Sequence, residues 1–188
     1  MLVLISCEEK KEPEFFKTYD ESELLQKQQE HQIPRMKFKR LQSKVLKMNT
    51  IFKPFNNELA TNFSEEEYNN LKPLILEQNI PSIQESVSKG ILSYEKLTLF
   101  YLYRIRKLES DSSTTLHAII TLNSTVLEEA RARDKNRDTT NFLINVSMYG
   151  MPVLIKDNIN TSGMPTTAGA IALLKNENTE DAFIVKKL

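Results

Sequence analysis

Apolar residues recur at helical steps through the middle of the chain, and this pattern gives way to short continuous apolar runs farther on. Between residues 35 and 52, Phe38, Leu41, Val45 and Met48 are spaced by threes and fours, as one buried helix face would be. Lys37, Lys39, Arg40, Lys44 and Lys47 crowd the other faces and read as a solvated surface beside that stripe. A capping box follows, with Ser64 able to cap, Glu67 able to close the box and Phe63 able to staple onto Tyr68, before Pro73 bounds or bends the helix. Ser82 and Glu85 repeat the device, with Ile83 and Val87 inward and Gly90 as a left-handed stop. Ser93 then caps the longest helix, where Leu97, Tyr101, Ile105 and Leu108 form a stripe widened by Phe100 and Leu102.

Beyond that helix the pattern changes. Residues 116–121 predict a strand, the turn at Asn123 and Ser124 leads into a helix over 125–134, and the polar run 135–141 predicts a surface loop. Residues 152–156 predict a second strand, too short and too continuously apolar for an amphipathic helix. The lack of alternation implies a sheet covered on both faces, so the expected fold class is α/β, helix-rich, with a mixed sheet covered by helices. Thr179 opens a last helix with Phe183 and Ile184 inward, and no Gly, Asn or Pro closes it, which is the pattern expected of an incomplete domain.

Composition narrows the chemistry. A chain of 188 residues, 40% hydrophobic, can bury one sizeable core. Lys and Arg number 25 and Asp and Glu 25, so no net field steers nucleic acid, and no nucleic-acid partner is expected. One cysteine excludes an internal disulfide, and His31 and His117 lack ligand spacing, so neither metal nor cofactor is expected. No apolar run reaches the roughly 18 residues that cross a bilayer.

The cysteine has a setting of its own. Leu4-Ile5-Ser6-Cys7 resembles the lipobox of a bacterial lipoprotein, which implies a diacylglyceryl Cys7 and a membrane tether at the cell envelope or periplasm. The charged n-region and a full-length h-region are absent, and the competing reading is a short buried strand or frayed terminus on a cytoplasmic protein. Residues 1–34 are expected to be a truncated lipoprotein-like leader and polar tether, ahead of an incomplete domain over 35–188.

Several stretches then match one known family in order and spacing. Gly90-Ile91-Leu92-Ser93 and Tyr103-Arg104-Ile105 lie in a leading helix pair, followed by Leu116-His117-Ala118-Ile119-Ile120, Glu129-Ala130 and Asp134. Gly150-Met151-Pro152-Val153-Leu154-Ile155-Lys156-Asp157-Asn158, Pro165-Thr166-Thr167-Ala168-Gly169 and Glu180-Asp181-Ala182-Phe183 complete the series. This resembles the N-terminal part of the amidase-signature family, most closely over residues 80–188. The resemblance implies hydrolysis of a C–N amide bond in a small-molecule or peptide substrate, by a nucleophilic serine, a second serine in a cis peptide bond and a lysine. Lys156 matches that lysine, the unprotonated general base. A lysine of ordinary pKa about 10.4 is protonated at neutral pH, so the role demands burial.

Asp157 and Asn158 read as residues that shape the turn after the strand, and Gly169 as one that permits a tight backbone path. The glycine- and serine-rich run that would hold the family's serines does not occur in these 188 residues, and Ser147 and Ser162 lack its setting. The chain alone is therefore expected to be inactive. The alternatives are a non-catalytic remnant or binding protein and, within the family, a component of an amidotransferase that works on charged transfer RNA.

Overall fold

The structure, a computed structural model, describes residues 22–37, 48–111, 113–137 and 147–188. Cys7 and most of the apolar stripe, Phe38, Leu41 and Val45, together with Lys39, Arg40, Lys44 and Lys47 on its basic faces, lie outside the described residues. Seven α-helices are described: α1 Ser22–Gln29, α2 Met48–Phe52, α3 Asn56–Thr61, α4 Glu65–Ile75, α5 Ile80–Ser88, α6 Tyr94–Glu109 and α7 Val126–Lys135.

Local chemistry explains most of these boundaries. Ser64 Oγ accepts the Glu67 N–H at 3.0 Å and starts α4, which runs through Pro73 to Ile75 and is closed by the Leu76 N–H on the Lys72 carbonyl. For α5 the sequence expectation is corrected: the cap is Asn79, whose Oδ1 accepts both the Ser82 N–H and the Ser82 hydroxyl at 2.9 Å. Pro81 moves the start upstream, because its fixed φ and missing N–H suit the first helical turn. Ser93 Oγ accepts the Lys96 N–H at 3.1 Å, as expected for α6.

Helix α6 is the centre of the molecule, with α7 on one side and α2 and α4 on others. Tyr94, Leu97 and Phe100 are fully buried along it, together with Phe52 and the nearly buried Phe55, Leu59 and Ile75 from the preceding helices. Tyr68 of α4 stacks on Phe100 with ring centroids 4.8 Å apart, which fixes the approach of α4 to α6. Phe100 and Leu102 are buried as expected, while Leu99 is buried outside the expected stripe and Leu108, within it, is exposed. Neighbours on several sides, invisible to a one-face pattern, account for the difference.

Charge and capping tie α7 to this centre. Asp134 accepts the N–H groups of Tyr94 at 2.8 Å and Glu95 at 3.0 Å, so a carboxylate from α7 satisfies two donors at the start of α6. Arg131 reaches Glu95 at 2.8 Å and Glu58 at 3.0 Å, linking α7 to α6 and α3.

The strands and the final helix are not formed. Residues 116–121 and 152–156 carry no ladder, and among the described residues the only bridges are Ser162 with Asn178 and Pro165 with Glu177. The apolar character of these runs is real, but a strand is held by a neighbour's backbone, and the described residues supply none. Near the end, only the 3₁₀ turn Val185–Lys187 forms, and Phe183 and Ile184 are exposed rather than inward. A short helix without a surface to pack on does not overcome its nucleation cost.

Replacing Asp134 with alanine should lower stability by about 1–2 kcal/mol, the usual cost of losing a cap. The measurement is the urea midpoint of Asp134→Ala against the parent chain, and an unchanged midpoint would show that the carboxylate is dispensable.

Candidate active site

The lysine-bearing segment is delivered by a clamp built from α5 and α6. Gln84 is completely buried; its amide donates to the carbonyls of Ser147 at 3.1 Å and Tyr149 at 2.8 Å. Its own carbonyl oxygen accepts the Tyr94 hydroxyl at 2.7 Å. Tyr94 packs edge-on against Tyr149, centroids 5.6 Å apart, and its ring lies where a side chain on residue 150 would be. A Cβ on Gly150 would stand 2.5 Å from Tyr94 Cδ1, and the residue has φ +73°, so glycine is required on both counts. Met151 then packs on the helical core, and the backbone runs on to Lys156.

Immediately after Lys156 the chain turns, with the Ile159 N–H on the Lys156 carbonyl at 2.9 Å. Asp157 anchors this turn to the loop at 165–169. Its carboxylate accepts the Thr167 N–H at 3.0 Å, the Gly169 N–H at 3.2 Å and the Thr167 hydroxyl, and its carbonyl accepts the Ala168 N–H at 2.8 Å. Ala168 and Gly169 both have positive φ, 48° and 78°, within a turn whose three successive N–H groups, of residues 167–169, all face Asp157. Burial, the largest influence on the Asp157 carboxyl, pushes its pKa up, but the hydroxyl and the two N–H donors together hold it below the ordinary aspartate value.

The loop is fastened on its other side as well. Thr166 and Thr167 are buried; Asn178 donates to the Thr166 hydroxyl at 2.7 Å, and Asn176 donates to the Thr166 carbonyl at 3.2 Å. The Ser162 N–H donates to Asp181 at 2.7 Å and the Ala182 N–H to the Asn160 carbonyl at 2.9 Å. Polar side chains thus do here what a sheet was expected to do.

Lys156 itself is exposed, and no described residue makes a hydrogen bond or ion pair to its ammonium group. The Ser162 hydroxyl donates to the Thr179 carbonyl at 3.3 Å, and Ser147 Oγ accepts the Tyr149 N–H at 3.2 Å, so neither serine is joined to Lys156. No group of His, Cys, Asp and Glu residues among the described residues could hold a metal ion. Asn158 is exposed in the turn, as a turn-shaping residue would be, whereas Asp157 works over a longer range than a local turn. Gln84 and Tyr94 were not distinguishable in the sequence, because a glutamine and a tyrosine in amphipathic helices carry no mark of a distant loop.

A helical layer thus carries a lysine segment joined through Asp157 to a threonine-glycine loop. The chain belongs to the amidase family through residues 96–188, which match that family's model. It is 36% identical over 115 residues to a probable amidase of Arabidopsis thaliana, covering 61% of this chain and 22% of the plant protein. It is 31% identical over 114 residues to a glutamyl-tRNA(Gln) amidotransferase component of Lysinibacillus sphaericus, with 61% and 22% covered. An amidase family protein from Bacillus anthracis superposes with a TM-score of 0.62 at 30% identity, over 74% of this chain and 27% of that one. The chain therefore spans about a fifth of the length of the curated relatives, whose family fold is α/β, while the described residues here are helix-rich.

Two outcomes follow from the geometry. Gln84→Leu removes the donor to two part-buried carbonyls and the acceptor of the Tyr94 hydroxyl, and should cost about 2–4 kcal/mol in urea unfolding, with faster amide exchange over 147–151. Asp157 has a depressed folded pKa, so its anchoring is fully present above the ordinary value of about 3.9 and is lost as pH falls through the lower folded value. The Thr167 and Gly169 amide NMR resonances should titrate together with a midpoint below about 3.9, and a midpoint above that value would contradict the assignment.

Proposed function

We propose that the protein hydrolyses a C–N amide bond through an acyl-serine intermediate, with Lys156 as the general base. The observation that carries this reading is the union of the Lys156 turn with the 165–169 loop by Asp157, inside the segment that matches the amidase family. Asp157 holds the backbone of its neighbour still, so the lysine is presented from a fixed point rather than a free loop.

Two requirements of this reading are not met within these 188 residues. Lys156 must be desolvated before its free amine is populated at neutral pH, and here it is exposed. A nucleophile with backbone N–H donors is also needed, and these residues hold no glycine- and serine-rich run to supply it. On this reading the 188-residue chain is inactive alone. The particular amide is set by parts of the domain beyond those described, and no cofactor takes part.

A second reading has its own support, since one relative is a component of a glutamyl-tRNA(Gln) amidotransferase. In that case the ammonia released from an amide would pass to a charged transfer RNA within a complex. Release of free ammonia from simple amides, without any stimulation by glutamyl-tRNA, separates the first reading from the second. A lipid tether at Cys7 fits the first better, because charged transfer RNA is cytoplasmic.

The decisive experiment compares the purified 188-residue chain with a protein in which it is continued by a glycine- and serine-containing amidase segment, on a panel of small amides. The continued protein should turn over, and Lys156→Ala should lower its kcat by about 10²–10⁴, the usual worth of a general base. Lys156-dependent hydrolysis by the 188-residue chain itself would overturn the requirement for an external nucleophile.

A further inference from the structure

One buried hydroxyl stands where the Lys156 turn meets the 165–169 loop. Thr167 is 2% exposed, and its Oγ1 donates to Asp157 Oδ2 while accepting the Gly169 N–H at 3.1 Å. The same N–H also reaches Asp157 Oδ2 at 3.2 Å, so hydroxyl, carboxylate and amide close a triangle. The Thr167 N–H occupies the other carboxylate oxygen, Oδ1, at 3.0 Å. The Asp157 carbonyl takes the Ala168 N–H at 2.8 Å, so Asp157 is bound to the loop by its side chain and its backbone alike.

The hydroxyl is the fixed member of this set, because the loop that carries it is pinned from the far side. Thr166, its buried neighbour, donates its N–H to the Asn176 carbonyl at 3.0 Å and receives the side-chain amides of Asn176 and Asn178 on its carbonyl and hydroxyl. Loss of the Thr167 hydroxyl takes a charge-assisted bond from Asp157 Oδ2 and an acceptor from the Gly169 N–H. The carboxylate then gains more by turning toward water than by staying, and the peptide joining it to Lys156 moves with it. That movement matters for a base. A general base acts only within hydrogen-bond reach, about 2.6–3.2 Å, and a misplacement of about 1 Å can cost about 10²-fold in rate.

We infer that Thr167 is a positioning residue for Lys156: acting through Asp157, its hydroxyl rather than its bulk fixes the point from which the lysine side chain projects. This rests on the reading of Lys156 as general base. Thr167→Val keeps the β-branched shape without the hydroxyl, and Thr167→Ser keeps the hydroxyl without the methyl, so the pair separates hydrogen bonding from packing.

Both variants are made in the 188-residue chain and in the protein continued by a glycine- and serine-containing amidase segment. In the 188-residue chain, Thr167→Val should speed amide exchange at Ile159, Ala168 and Gly169 at least about tenfold and leave α6 unchanged. Ile159 is the reporter of the lysine turn, since its N–H rests on the Lys156 carbonyl. Thr167→Ser should stay close to the parent. In the continued protein, Thr167→Val should lower kcat about 10²-fold with KM within about twofold, and Thr167→Ser should recover most of the loss. Unchanged exchange at Ile159 in Thr167→Val overturns the inference, and so does faster exchange that spreads to α6, which would make the hydroxyl a support of the whole fold. A serine variant no better than the valine one, or a loss confined to KM, overturns it as well. The two proposals fail separately. A continued parent that turns over with a kcat indifferent to Thr167→Val defeats this inference alone. A continued parent that is inactive defeats the proposed function, and the hold of Thr167 on the lysine turn is then decided by the exchange at Ile159.

Discussion

The side-chain amide of Gln84 has no solvent around it, so its donors and its acceptor must all be satisfied inside the protein. It does so by reaching across to the backbone of Ser147 and Tyr149 and by receiving the hydroxyl of Tyr94. Everything after residue 147 hangs from that contact. The path of the chain at Gly150, the seating of Met151 on the core and the direction in which the lysine segment leaves the helices all follow from where the amide pulls the backbone. Tyr94 is itself placed by the start of α6, which Ser93 and Asp134 hold, so the helix caps and the lysine segment belong to one connected arrangement.

A second polar centre repeats the logic at the other end of the segment. The Asp157 carboxylate gathers the donors that the left-handed turn at Ala168 and Gly169 directs at it, and so fixes two loops to each other without a sheet. The arrangement separates two demands that the role proposed for Lys156 makes. Position is met by residues next to it in sequence and space. Burial is not, because Lys156 projects from the anchored turn into solvent.

The same division explains the mixture of order and exposed apolar surface. Helices α2 to α7 close their own hydrogen bonds and find partners among themselves, so they form a core from local material. The apolar runs that follow are of a kind that needs a neighbouring backbone, and they lie on the helical layer with Leu116 and Leu154 in solvent. In the relatives the corresponding region is about a fifth of the protein.

Read alone, the sequence determined the helices from Ser64 to Lys135 to within a few residues, the inward positions Ile83, Val87 and Leu97, the left-handed Gly90, and the family to which the lysine motif points. These are legible because caps and periodicity act between residues three or four apart, and because the lysine motif is contiguous. Tertiary structure alone decided that Gln84 is a buried clamp, that Asp157 binds a loop ten residues away, and that the apolar runs at 116–121 and 152–156 carry no ladder among the described residues. The physical reason is the same in each case. A polar side chain or an apolar run takes its role from whichever backbone it meets, and that partner lies far along the chain.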